Sequence, residues 1–186
     1  MRDRYHINFG FVILSPEHNV GLVQSTVRSI RNHYDDLPYC CVTGKDATVS
    51  NIRELKKVCP AVYKGKETIT SLINQGIKKG CKEWNYIIME GTTMRREIDK
   101  RYSTFLKNEK DIFFPIVVDY DHQMRPVNLH TEFTDSTLNG LFIHQKTFKE
   151  VGDFSDNPLD VSRLFWMIEA VEKGCNFKAI LGAKVC

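Results

Sequence analysis

No Cys-x-x-Cys pair occurs anywhere in the chain. The six cysteines (Cys40, Cys41, Cys59, Cys81, Cys175 and Cys186) stand singly or as direct neighbours, which removes the usual zinc and disulfide frameworks and leaves free thiols in a reducing cytoplasm as the expectation. Long apolar runs are also missing. None approaches the roughly 18 residues that span a bilayer, and the opening MRDRYH is too polar for a signal peptide, so neither a membrane helix nor secretion is expected. An excess of charge is missing too. A net charge of +3, with lysines and arginines scattered rather than gathered in one arm, offers no case for nucleic acid or an acidic membrane surface as partner. Repeats, low-complexity tracts and a proline- or glycine-rich linker are likewise absent, so the 186 residues read as one domain over 1–186 with enough chain to bury a substantial core.

What is present is an alternation. Residues 7–15 (INFGFVILS) form an unbroken apolar run closed by Pro16, the pattern of a strand buried on both faces of a parallel sheet. Asn19 is placed to cap a helix over 20–34, with Leu22, Val23, Val27 and Ile30 on one stripe. A second strand at 39–42 runs into the turn TGKDAT. A helix from a Ser50 cap to Val58, a short strand at 61–63, a helix over 68–79 ended by Gly80, and a strand at 84–89 follow. Four strand–helix alternations in about ninety residues predict a parallel, right-handed βαβ sheet. The second half reads as a helix over 95–108, then DIFFPIVV at 111–118 as a strand near an edge or bulge because of its internal proline. A strand at 138–144, helices over 146–151 and 160–173, and a strand at 177–181 complete the pattern.

In an open parallel sheet, ligands sit beyond the carboxyl ends of the strands at a switch in strand order. The loops placed there are 15–19, 43–48 and 90–94, and they carry small and polar residues. YIIMEGTTM at 86–94 is the most telling: a buried strand ends by delivering Glu90, Gly91 and Thr92 to the rim. A second acidic triplet, Asp119-Tyr120-Asp121, follows the later strand, where alternation places both aspartates on one face.

Several of these stretches resemble the family 2 glycosyltransferases, in order along about 9–182. SPEHN resembles that family's strand-ending Pro-x-x-Asn, and TVRSI its Thr-x-x-Ser-Ile. TGKDAT stands in place of its Asp-Asp-Gly-Ser loop, with Thr43 where the first aspartate would be. INQGIKKG matches Arg-Asn-x-Gly-Ile-x-x-Ala, with Ile73 replacing the arginine. YIIMEGTTM falls where Asp-x-Asp would be, and NGLFIHQKTFKEVGDF at 139–154 is similar to the Thr-Gly segment near the catalytic centre. The resemblance implies a GT-A fold, a Rossmann-like three-layer α/β/α sandwich with a mostly parallel central sheet. It further implies a nucleotide-sugar donor, uridine-linked, and inverting transfer to an acceptor hydroxyl on a saccharide, protein or lipid-linked molecule.

Carried over position by position, the resemblance gives a donor site of Pro16, His18, Asn19, Thr43, Asp46, Asn74, Glu90, Gly91, Thr92, Asn139 and Gly140. A divalent cation, manganese or magnesium, would be held by Glu90 and Thr92, with Asp119 and Asp121 as a rival pair. Such an ion favours hard oxygen ligands, and here the pattern supplies one carboxylate and one neutral hydroxyl. The catalytic base that an inverting transferase requires falls to Asp160 or Asp156, with Asp153 beside them, because the family's Glu-Asp position lands on Ser162-Arg163. Asp160 is equally readable as an N-cap, Asp46 as a turn residue, and Pro16 and Asn19 as strand stop and helix cap. Trp166 reads as core, and His122, His130 and His144 lack metal-ligand spacing. A binding module that has kept the fold without the reaction remains the alternative. A nucleotidyltransferase is disfavoured because SPEHNVG lacks a glycine- and lysine-rich phosphate cradle.

Overall fold

A computed structural model describes residues 8–34, 36–80, 82–94, 108–120, 123, 125–130 and 132–180. Strand β1 (Phe9–Ser15) is buried along its whole length, as its unbroken apolarity requires. It is followed by α1 (Val20–Arg31), β2 (Tyr39–Thr43), α2 (Val49–Val58), β3 (Val62–Lys64), α3 (Ile69–Lys78) and β4 (Trp84–Met89). Next come β5 (Asp111–Pro115), β6 (Val117–Tyr120), β7 (Pro126–His130), a 3-10 turn (Asp135–Leu138), β8 (Phe142–His144), α4 (Gln145–Val151), α5 (Leu159–Glu172) and β9 (Asn176–Ile180).

Seven strands form one sheet in the order β3-β2-β1-β4-β8-β5-β9, and β6 and β7 form a separate hairpin. β8 runs antiparallel to β4 and β5, while the other pairings of the large sheet are parallel. The period of two along a strand divides the core. Phe9, Phe11 and Ile13 pack on Val23, Val27 and Ile30 of α1 and Leu55 of α2. Val12 and Leu14 join Leu72, Ile73 and Ile77 of α3, Phe148 of α4 and Trp166 of α5 on the other side. The result is helices over both faces of a mostly parallel sheet. Each buried large apolar side chain contributes about 1.5–3 kcal/mol, so the two clusters hold the layers together. Trp166 is core, stacked on Phe154 at 4.6 Å with its indole N–H donating to the Gly152 carbonyl at 2.8 Å.

Several boundaries differ from the sequence expectation for local reasons. α2 is capped by Thr48, not Ser50, because Thr48 and Asn51 satisfy each other's backbone N–H groups reciprocally. Asp160 is not an N-cap: the capping position is Pro158, and Asp160 stands in the first turn of α5. The strand expected at 138–144 begins only at Phe142, because a 3-10 turn and the turn at Asn139-Gly140 precede it. The strand expected at 111–118 is two strands. β5 is an interior strand rather than an edge, with Pro115 as its last residue, where a missing N–H costs least. The β6–β7 hairpin shifts register between Asp119 and Tyr120, and β7 was not legible. The helix expected over 95–108 lies outside the described residues except for Asn108. Cys40, Cys41, Cys59 and Cys175 are buried free thiols, and among the described residues no helix is long and apolar enough to cross a membrane.

Candidate functional site

From β1 the chain steps outward through β2 to β3, and β4 then lies on the opposite side of β1. The switch in strand order therefore falls between β1 and β4, with loops 15–19 and 90–94 on its rim. Glu90 closes it. Its Oε2 accepts from the Ser15 hydroxyl at 2.7 Å and from the Asn19 N–H at 3.0 Å, and its Oε1 accepts from the Glu17 N–H at 2.9 Å. A carboxylate offers about four acceptor sites, and three serve to shape the first loop. Asn19 has two parts in this, because its own Oδ1 caps α1 by accepting from the Leu22 N–H at 3.1 Å. Ser15 carried no signal in the sequence beyond ending an apolar strand, yet its hydroxyl is central to the clasp.

His18 adopts a left-handed conformation, φ 59°, which aims its ring at the second loop. Nδ1 lies 2.6 Å from the Thr43 hydroxyl, and that hydroxyl donates to the Ser15 carbonyl at 3.2 Å. The Nε2 of the ring has no hydrogen-bond partner among the described residues. A Cβ at Gly44 would come within 3.1 Å of the His18 ring and 3.4 Å of the Pro16 carbonyl, so glycine is what lets the two loops approach. Asp46 is exposed on the same turn.

The remaining positions turn inward. Asn139 Oδ1 accepts from the Met89 N–H at 3.0 Å, and its Nδ2 donates to the Thr92 hydroxyl at 3.1 Å. Gly140, with φ +114°, has no room for a side chain because Pro115 would lie 2.7 Å from its Cβ. Gly91, with φ +85°, packs beside Leu22. Asn74 pairs twice with the Phe154 backbone, accepting at 2.9 Å and donating at 2.8 Å. His144 caps α4 through Nδ1, which accepts from the Lys146 N–H at 3.2 Å.

A cleft of about 430 Å³ opens along α3, walled by Lys64, Lys66, Gln75 and Lys78 on one side and by Asp153 to Asp156 on the other. It continues past Gly65 and Lys66 to Lys45 and Glu67. Lys78 pairs with Asp153, Lys45 with Glu67, and Lys66 with Asp156 at 3.9 Å. Of the sequence-predicted residues, Asn74, Asp153 and Asp156 line this cleft, and Glu90 does not. Glu90 lies three strand spacings from β3, roughly 14 Å. Asp160 is exposed in the first turn of α5. The lysines carry no signal of their own in the sequence; only the packing of 152–157 against α3 makes them a wall.

Among the described residues, Glu90 and Thr92 do not present a preformed divalent-cation site. Glu90 spends three of its acceptor sites within the protein, Thr92 is buried against Asn139, and among the described residues no three His, Cys, Asp or Glu side chains cluster to hold an ion. Asp119 pairs with Asn128 through the hairpin backbone, and Asp121 lies outside the described residues.

No protein-family model matches the chain, and neither does any curated protein sequence. Solved structures do match. S. aureus TarS residues 1–349 superposes with a TM-score of 0.61 at 12% identity, covering 95% of this chain and 59% of that one. A second S. aureus TarS structure gives 0.61 at 13% identity, covering 95% and 36%. The chain thus spans less than two thirds of the length of either structure it matches. These neighbours are glycosyltransferases with the GT-A fold, and the mixed α/β architecture described above is that fold.

Proposed function

We propose that the chain is a nucleotide-sugar-dependent glycosyltransferase, with its donor over the switch point between β1 and β4 and its acceptor in the cleft beside α3. The observation that carries this reading is the GT-A sheet itself, whose small, polar strand-end loops meet where the strand order turns. The backbone of 15–19 and the turn from Thr43 to Asp46 would receive the base and ribose of a uridine diphosphate sugar, with the free Nε2 of His18 directed to it. Glu90 acts as a positioning residue: it holds the first loop in shape and meets the diphosphate only through that loop. The acceptor hydroxyl attacks the anomeric carbon, the bond to the diphosphate breaks, and the acceptor proton passes to a carboxylate. Asp156, which lines the cleft, and Asp160, in the first turn of α5, are the two candidate bases, and the role requires the donor's sugar to reach from the β1–β4 switch to that cleft.

Calorimetric titration with uridine diphosphate tests the donor half. Binding is expected to stay within about threefold between manganese and chelator, since Glu90 has no free chelating geometry, and His18→Ala is expected to weaken it about tenfold. Absence of binding to any nucleoside diphosphate sinks the reading. For the base, Asp156→Asn is expected to preserve nucleotide affinity while lowering transfer by roughly a hundredfold or more.

A second reading, a nucleotide-sugar or protein-binding module without turnover, draws on one observation: Glu90, Thr92, Asn139 and Asn74 spend their polar groups on the protein itself. It predicts donor binding with no release of free nucleotide, and no effect of Asp156→Asn.

A further inference from the structure

α5 is apolar on two sides. One side buries Ser162, Trp166 and Ala170. The opposite side leaves Val161, Leu164, Phe165, Ile168 and Val171 between 38% and 58% exposed. Their spacing of three and four residues makes a continuous stripe over nearly three turns, roughly 15 Å long. Exposed apolar residues scattered singly are ordinary, whereas a contiguous patch of this kind marks an interaction surface.

The rim of the stripe says what fits it. Asp160, Glu169 and Glu172 stand four residues from Leu164, Phe165 and Ile168 respectively, and all three are exposed. They form no ion pair among the described residues. Lys173, the basic residue nearest that end, does not neutralise them. Its Nζ turns inward to the carbonyls of Glu150 and Val151 at 2.8 and 3.0 Å, where it completes the C-terminus of α4. Arg163 donates to the Phe133 carbonyl at 2.6 Å. An apolar centre within an acidic border disfavours an anionic bilayer. It also disfavours a second copy of the chain, because two such faces would oppose carboxylate to carboxylate.

We propose that this face of α5 docks a helical segment of another polypeptide whose apolar stripe is flanked by lysines or arginines. The apolar anchors supply affinity through burial, and the carboxylates select the basic partner and steer its approach.

Two labelled synthetic 18-residue helices, each with a leucine face, one flanked by lysine and one by glutamate, test it by fluorescence anisotropy against the full chain. The lysine-flanked helix is expected to bind at least about tenfold more tightly than its twin, and to weaken about tenfold between low and high salt. Phe165→Ser with Ile168→Ser is expected to weaken binding about tenfold or more at an unchanged melting temperature, the sites being exposed. Glu169→Gln with Glu172→Gln is expected to reduce the preference for lysine flanks and its salt dependence. Equal binding of both helices, or binding indifferent to both pairs of substitutions, overturns the proposal. So does a dimer in sedimentation velocity that Phe165→Ser with Ile168→Ser dissolves. Flotation with phosphatidylserine vesicles that depends on the same two residues overturns it as well.

Discussion

Buried polar groups in this chain have two fates, and Asn139 and Asn85 show them. Asn139 finds partners for both ends of its amide. Asn85 is fully buried on β4, and neither its oxygen nor its nitrogen has a hydrogen-bond partner. Its amide fills the space beside Gly80, where a Cβ would fall 1.8 Å from Asn85 Oδ1. An unsatisfied buried amide costs about 1–3 kcal/mol, so Asn85→Leu, similar in shape and apolar, is expected to leave stability unchanged or raise it. Gly80→Ala is expected to cost about 1–3 kcal/mol through the clash, and much of that cost is expected to vanish in combination with Asn85→Ala. Thermal denaturation of the singles and the double checks the coupling. If the two effects simply add, the contact between residues 80 and 85 is not the cause.

Among the elements, α3 is the hinge of the candidate site. One face packs on the sheet through Leu72, Ile73 and Ile77, and Asn74 ties it to the loop that carries Asp153 and Asp156. Both bonds end on the Phe154 backbone, and Phe154 stacks on Trp166 of α5. This single amide therefore ties the cleft wall to the packing of α5 through Trp166. Asn74→Ala leaves a buried N–H and a buried C=O without partners and is expected to cost about 2–4 kcal/mol, read as a lowered midpoint in urea unfolding. Asn74→Asp keeps the acceptor but sets a carboxylate oxygen against the Phe154 carbonyl, and is expected to be at least as damaging. A midpoint unchanged in both variants rules out this role.

One buried thiol gives the stability of the whole molecule a dependence on alkaline pH. The Cys59 thiol beside Cys41, and burial after it, push the Cys41 thiol well above its ordinary 9.0. The folded state therefore keeps Cys41 protonated, while the unfolded chain ionises above about pH 9. The stabilisation is complete below that value and is lost progressively as pH rises beyond it. Denaturant unfolding at pH 8, 9 and 10 is expected to show the decline, with a shallower slope in Cys41→Val. Identical slopes would assign the alkaline sensitivity to other groups.

The sequence by itself determined the alternation of strand and helix, the unbroken burial of β1, the cap at Asn19 and the core place of Trp166. These are local patterns, set by periodicity and by the few residues able to cap a helix or end a strand. Tertiary structure alone decided what the polar residues do. Glu90 reads as a free ligand in YIIMEGTTM, and becomes a clasp only because β4 lies beside β1 with loop 15–19 overhead. Asn74 and Asp156 meet at one cleft across about eighty residues of chain, and Asp160 falls two positions past the cap of its helix. A hydrogen bond is satisfied by whichever donor the fold brings within about 3 Å, and sequence spacing does not encode that distance between elements.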